Sequence, residues 1–461
     1  MNLRCSFLLL FACLPLAGHA TVTPYPAFPG RPTSERYTVV ADGQPIWTES
    51  YRTHFELDRL PSWFTSAPET RVQQEVHLAA FACTGPVSLD ITVNVPPRSV
   101  VVHPVSRGIV PLVRGNRITF SITGPDNLYL TIDDLPALCL FANPLETEEL
   151  SAVQTGVRYF GPGVHEAGLI TLKSNETLYL APGALVYGGI RLAPQARRVR
   201  ILGRGTLDGN LSVEDMVLLE GGQGIEVRGV TIRAGSGWTN TLVACRDVTY
   251  RDVKVISFCP SGDGINPVGS DNVTIDRCFL RCTDDCVAVK APDPAKGVQN
   301  ILVTRSTLVG FAFADGVTIG FETNGADISK VRVRDCDIVM ARGGSRVDGH
   351  SAFSIICDGP SLISDIAYEN VRVEEDVLKL FELHITDGTK YDVNPPGRIR
   401  GVTLSNIRWA SARPIILRGF SEQNRVEDVT FVNCRIGDQP LTEARSDLFQ
   451  INPHVRGVEF R

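Results

Sequence analysis

From residue 178 onward the chain repeats one order of hydrophobic and polar positions: apolar, any, apolar, any, any, small or apolar, any, apolar. The order recurs at Leu178-Tyr179-Leu180, Val199-Arg200-Ile201, Ile225-Glu226-Val227, Val248-Thr249-Tyr250, Val273-Thr274-Ile275, Ile301-Leu302-Val303, Val331-Arg332-Val333, Ile366-Ala367-Tyr368, Val402-Thr403-Leu404 and Val429-Thr430-Phe431. These copies follow one another at 21, 26, 23, 25, 28, 30, 35, 36 and 27 residues. The period of two, filled by Val, Ile, Thr and Tyr, predicts a strand at each copy. Leucine-rich repeats would add a helix and a regular leucine frame, and propeller blades would run to about 40 residues with four strands. A right-handed parallel β-helix remains. Each coil leaves its apolar residues uncovered until the next coil stacks on them, so the core is shared along the solenoid. Asn370, Asn406 and Asn433 follow their strands where such coils need tight left-handed bends.

Residues 21–150 lack this repeat. Tyr37-Thr38-Val39-Val40 before Asp42-Gly43, then Val87 to Val93, Arg117 to Ile122 and Leu128 to Ile132 are short strands punctuated by turns, which predicts a small antiparallel β-sandwich. The acidic, helix-permissive stretch from Pro144 to Val153 is the expected linker. Phe160-Gly161-Pro162-Gly163 would then open a β-helix occupying 151–461. The fold class expected is all-β, a sandwich followed by a solenoid.

The first 20 residues resemble a secretory signal: Arg4, an apolar run from Phe7 to Leu16, and Ala17-Gly18-His19-Ala20 with small residues at a cleavage position. Cleavage near Ala20 would place the mature protein outside the cytoplasm, secreted or periplasmic. A lipoprotein reading at Cys13 is disfavoured by Phe11. No other stretch is long and apolar enough to span a bilayer. A net charge of −6 gives no cationic footprint for nucleic acid. Of the twelve cysteines, Cys5 and Cys13 fall in the leader. Cys278, Cys336 and Cys434 share one place in the repeat, as small hydrophobes inside the coils would. Cys278, Cys282 and Cys286 lack a histidine at zinc spacing. Cys83 and Cys139 are the candidates for a disulfide. No metal or cofactor is expected, and a monomer is.

Asp263 lies in Ser261-Gly262-Asp263-Gly264-Ile265-Asn266, and Thr283-Asp284-Asp285-Cys286 follows about one coil later. Coils stack about 4.7–4.9 Å apart, so an acidic cluster on one face is predicted. Glycoside hydrolysis needs one protonated and one ionised carboxyl, and crowded carboxylates supply both states because like charges raise the pKa of one member. The competing bland use of such aspartates is to cap turns. Calcium binding is another, although no EF-hand or nonapeptide calcium pattern is present.

The run from Ser261 to Pro267, then Asn272-Val273-Thr274-Ile275, then Thr283-Asp284-Asp285-Cys286-Val287-Ala288-Val289-Lys290, resembles the polygalacturonases of glycoside hydrolase family 28. Val164-His165-Glu166 through Ala184 and Gly203-Arg204-Gly205-Thr206-Leu207-Asp208-Gly209 extend the resemblance over roughly 157–440. It implies an inverting polysaccharide hydrolase with Asp284 as general acid and with Asp263 and Asp285 positioning and deprotonating water. Inversion requires carboxyls about 6.5–9.5 Å apart.

Two departures mark this chain. The family's Gly-His-Gly coil falls at Ala314 to Gly320, putting Asp315 in place of the histidine. Its uronate-binding Arg-Ile-Lys falls near Ser351 to Ile356, where there is no cation. Lys290, Arg342, Arg346 and His350 are the substitutes available. Asn266, Asp315 and Glu322 complete the expected sugar-binding set, and acceptor carboxylates suit neutral hydroxyl-rich sugars better than uronates, so a neutral glycan and a rhamnose-containing pectic region stand as equal alternatives to homogalacturonan. The rivals are a dextranase-like hydrolase of a neutral glycan, a polysaccharide lyase, which wants calcium and a basic residue, and a glycan-binding solenoid without turnover.

Overall fold

The computed structural model describes residues 21–53, 60, 62, 74–148, 150–341, 351–375, 377–388 and 395–461; the expected leader lies outside them. All ten repeat strands fall in one parallel sheet of twelve, which also holds Val157–Phe160 at one end and Val455–Phe460 at the other. Each coil runs from this first strand through a second and a third. The second and third strands together make a 21-stranded sheet. Strands pair with their counterparts one coil away, as when Val248, Thr249 and Tyr250 lie beside Val273, Thr274 and Ile275. This is a parallel β-helix.

Alternation within the strands explains the core. Ile225, Val227, Val248, Tyr250, Val273, Ile275, Ile301 and Val303 point inward and are buried in one continuous hydrophobic cluster along the solenoid. Cys278, Cys336 and Cys434 belong to the same cluster. After each first strand the chain bends through a residue with positive φ. The row Asp252, Arg277, Arg305, Asp335, Asn370, Asn406 and Asn433 has φ values from 48 to 56°, so the three asparagines do occupy left-handed bends. Asn and Asp tolerate this region because their short polar side chains bond locally.

The N-terminal strands form a six-stranded and a five-stranded sheet around a core of their own. Tyr37–Ala41, Val87–Val93 and Arg117–Ile122 lie together in the five-stranded sheet, and Asp126–Ile132 lies in the other. Pairing is antiparallel, except that Leu138–Pro144 runs parallel to Glu75–Cys83. Cys83 and Cys139 are both free and buried. The expected disulfide is absent because Cys83 points into the sandwich core, whereas Cys139 points to the opposite face of the sheet. The described part of Pro144 to Val153 is irregular after the strand that ends at Pro144, with a turn at Ala152 and Val153 and no helix. Within it, Glu148 receives hydrogen bonds from Arg200, at 2.5 Å, and from Arg228, at 2.6 Å.

The six-stranded sheet lies on the solenoid. Tyr51, Val76, Leu78, Tyr129 and Phe141 cover outward residues of the second strands, among them Ala234, Ile256, Phe279, Val309 and Met340. Arg233 is fully buried in this contact. It donates two hydrogen bonds to Glu49, at 2.6 and 3.0 Å, and one to Asp208 at 2.8 Å, with its guanidinium over the Tyr51 ring.

Candidate active site

The site lies where the second strand of a coil turns into the third. Ile265, Val287 and Val317 are register partners on consecutive coils. Asp263, Asp285 and Asp315 each precede one of them by two residues, so they stand in a single row, with Asp284 beside Asp285. Gly264 makes this approach possible: a Cβ there would lie 2.3 Å from the Cys286 carbonyl oxygen. Thr283 joins the two turns. Its Oγ1 donates to the Cys259 carbonyl at 2.6 Å and accepts from the Cys259 N–H at 3.2 Å.

Asp263 and Asp285 are buried, while Asp284 is half-buried and reaches solvent. Burial pushes the Asp263 carboxyl well above its ordinary range, and Asp284 and Asp285 push it further. Lys290 and the Asn266 side-chain amide, which donates to Asp263 at 2.9 Å, oppose the shift without cancelling it. Desolvation and like charge thus act together on one carboxyl. The aspartates also serve their turns, since Asp284 accepts the Asp285 N–H at 3.1 Å and Asp285 accepts the Asp315 N–H at 3.0 Å. Capping and clustering coexist here.

Lys290 sits on the third strand and pairs with Glu322 at 2.7 Å. Burial alone would lower its pKa, but Glu322, Asp263 and Asp285 more than compensate and hold the ammonium above its ordinary value. Asn266 is fully buried. Asp315 is fully buried too, and both of its oxygens are engaged, one by the Ser351 N–H at 2.9 Å and the other by the Ser354 hydroxyl. It therefore braces the wall behind Asp285. His350, Arg342 and Arg346 lie outside the described residues. The structure thus brings Asp263, Asp284, Asp285, Asn266, Lys290 and Glu322 together and commits Asp315 to internal bonds.

Sequence reasoning missed Trp238. It precedes Asn240 by two residues, and Asn240 is the register partner of Ile265, so Trp238 occupies the place of Asp263 one coil earlier. The repeat spacing of 25 residues between Val248 and Val273 predicts this correspondence. Its half-buried ring lies 5.1 Å from the Lys290 ammonium. Ser354 and the ion pair of Lys379 with Glu382 were also missed, because no motif marks them.

The sequence profile of glycosyl hydrolases family 28 matches residues 204–438, just over half of the chain and the whole of this site. The chain belongs to that family. Among family 28 relatives, a probable polygalacturonase of Vitis vinifera is 25% identical over 131 residues, 27% of this chain and 26% of its own. An endo-polygalacturonase of Pectobacterium carotovorum subsp. carotovorum is 26% identical over 184 residues, 40% of this chain and 42% of its own. The chain thus spans about a quarter to two-fifths of the length of these relatives. In three dimensions it is similar to Dex49A from Penicillium minioluteum, with a TM-score of 0.63 and 14% identity over 95% of this chain and 96% of that one. That likeness is one of fold and includes the N-terminal sheets. Among the described residues, no helix is long and apolar enough to cross a membrane.

Proposed function

We propose that this protein hydrolyses glycosidic bonds in a polysaccharide by an aspartate-based, inverting mechanism, polygalacturonase-like in its chemistry and altered in the subsite that binds the sugar. The observation that carries the reading is the row formed by Asp263 and Asp285 on adjacent coils with Asp284 beside them, one carboxyl of which holds its proton above the ordinary range. Such a cluster titrates as a unit and retains a proton at a pH where an isolated aspartate has lost it. Within that unit the proton passes to Asp284, the member that reaches solvent, which delivers it to the leaving oxygen, and Asp263 is left ionised. Asp263 and Asp285 then hold and deprotonate the attacking water. Asn266 orients Asp263 through its amide.

A lyase would need a base near the acid cluster. Lys290 is held in its charged form by Glu322 and the aspartates, which disfavours that role. The same ion pair favours a second reading of the substrate, in which the polymer is a neutral glycan cleaved by the same residues. The proposal also divides the chain into a leader over 1–20, a sandwich over 21–150 and a catalytic helix over 151–461. The protein would be secreted or periplasmic.

Reducing-end release from a panel of pectic and neutral polysaccharides, with the product anomer followed by NMR, tests the reading. Turnover with inversion that disappears in Asp284→Asn is the expected result. Retention of configuration, or undiminished turnover in Asp284→Asn, would overturn the mechanism. N-terminal sequencing of exported protein checks the leader, with Thr21 as the expected first residue.

A further inference from the structure

We infer that the subsite beside Trp238 and the Lys290–Glu322 pair receives an uncharged, hydroxyl-bearing sugar ring and discriminates against a uronate. The inference rests on the proposed reading of the aspartate row as the cleavage centre and names the sugar presented to it. Its first support is charge. Among the described residues the cation that Asp263 feels is Lys290, and this ammonium faces Glu322, Asp263 and Asp285. Its direct ion pair goes to Glu322 at 2.7 Å. Three coils on, Lys379 is likewise paired with a glutamate, Glu382. A carboxylate brought to this place would meet like charge, and the nearest cation among the described residues is already engaged.

The second support is hydrogen-bonding capacity. Asn266, Ala288, Thr318 and Ser354 form the outward row of the third strands, opposite the inward-facing Val287, Val289, Val317 and Ile319. Asn266 spends its amide N–H on Asp263. Its Oδ1 is buried and has no partner among the described residues, and neither has the Thr318 hydroxyl. Buried polar atoms left unbonded are costly. A sugar hydroxyl can donate to Asn266 Oδ1, whereas an ionised carboxylate has no proton to donate. The third support is the half-buried Trp238 ring, one coil before Asp263: Lys290 lies over the ring, 5.1 Å from its centre, and the part left exposed offers an apolar surface to the C–H face of a pyranose.

The test uses matched polymers, polygalacturonate and other uronans before and after carboxyl reduction, so that linkage stays fixed while charge changes. Turnover by the wild-type protein is compared with calorimetric binding of the corresponding oligosaccharides to Asp284→Asn, which separates sugar preference from cleavage. Binding of the reduced form tighter by about tenfold or more supports the inference, whether or not a polymer in the panel is cleaved. Tighter binding of the uronate, equal binding or no binding overturns it, and wild-type hydrolysis of a uronan would at the same time leave the hydrolase reading intact. Glu322→Gln frees the Lys290 charge and is expected to shift the preference toward the uronate by about tenfold, with a retained cooperative unfolding transition as the control for folding. An unchanged preference in a folded Glu322→Gln protein also counts against the inference.

Discussion

Two rows of aspartates run along the same solenoid, one at the bend from first to second strand and one at the turn from second to third. At the first bend the carboxylates of Asp252 and Asp276, on adjacent coils, are matched. Arg277 grips Asp252 with two hydrogen bonds, at 2.8 and 2.9 Å, and Arg305 grips Asp276 with two at 2.8 Å. In the second row Asp263, Asp284 and Asp285 crowd together around one lysine that is already paired with Glu322. Residue type and rung spacing are alike. What differs is compensation: the first row spends its charge on holding coils together, and in the second burial and like charge push a carboxyl well above its ordinary range. Perturbed groups of this kind cluster where chemistry is done.

The largest effect that would separate the rows comes from Asp284→Asn. It should lower kcat by about 10²–10⁴-fold, the range for loss of a general acid, with little change in the thermal midpoint. The opposite profile is expected of Asp276→Asn. Asp276 is buried and accepts hydrogen bonds from Arg251 and Arg305, so the variant should lose about 2 kcal/mol in denaturant unfolding with kcat retained. Equal damage to activity by the two variants would erase the distinction between the rows.

Asp263→Asn sharpens the comparison through pH. An unfolded Asp263 releases its proton near the ordinary 3.8, and the folded carboxyl holds it to higher pH. Folding therefore takes up a proton in this window. The stability that this group contributes is full below the unfolded value and is lost as pH rises through the folded one. Asp263→Asn removes that loss, so the inactive variant should melt higher than wild type near pH 8, with the gap closing toward pH 3. A gap that stays constant across this range would show that Asp263 titrates normally. The smallest effect is expected of Arg305→Ala. Its side chain is 54% exposed, and a partner this open to solvent contributes less than about 1 kcal/mol.

Much of this was legible in the chain. The solenoid could be read because each coil repeats the same inward-facing pattern, and the left-handed bends at Asn370, Asn406 and Asn433 because few other residues accept that conformation. The pairing of Asp263 with Asp285 followed from counting one coil. Trp238 could have been found by the same count and was not. Other features had no local signature. Cys83 and Cys139 looked like partners until the sheet put them on opposite faces. The internal bonds of Asp315 to Ser351 and Ser354 had no local signature either.

By itself the sequence determined the period, and with the period came strands, stacking and the aspartates brought to neighbouring rungs, because a repeating hydrophobic face has few ways to be buried. Only the tertiary structure decided which charges are compensated. Arg233 finds Glu49 across 184 residues, and Lys290 turns to Glu322 instead of standing free. Such pairings depend on which side chains share a low-dielectric space, and that is fixed by the stacking of coils and by the sheet laid against them.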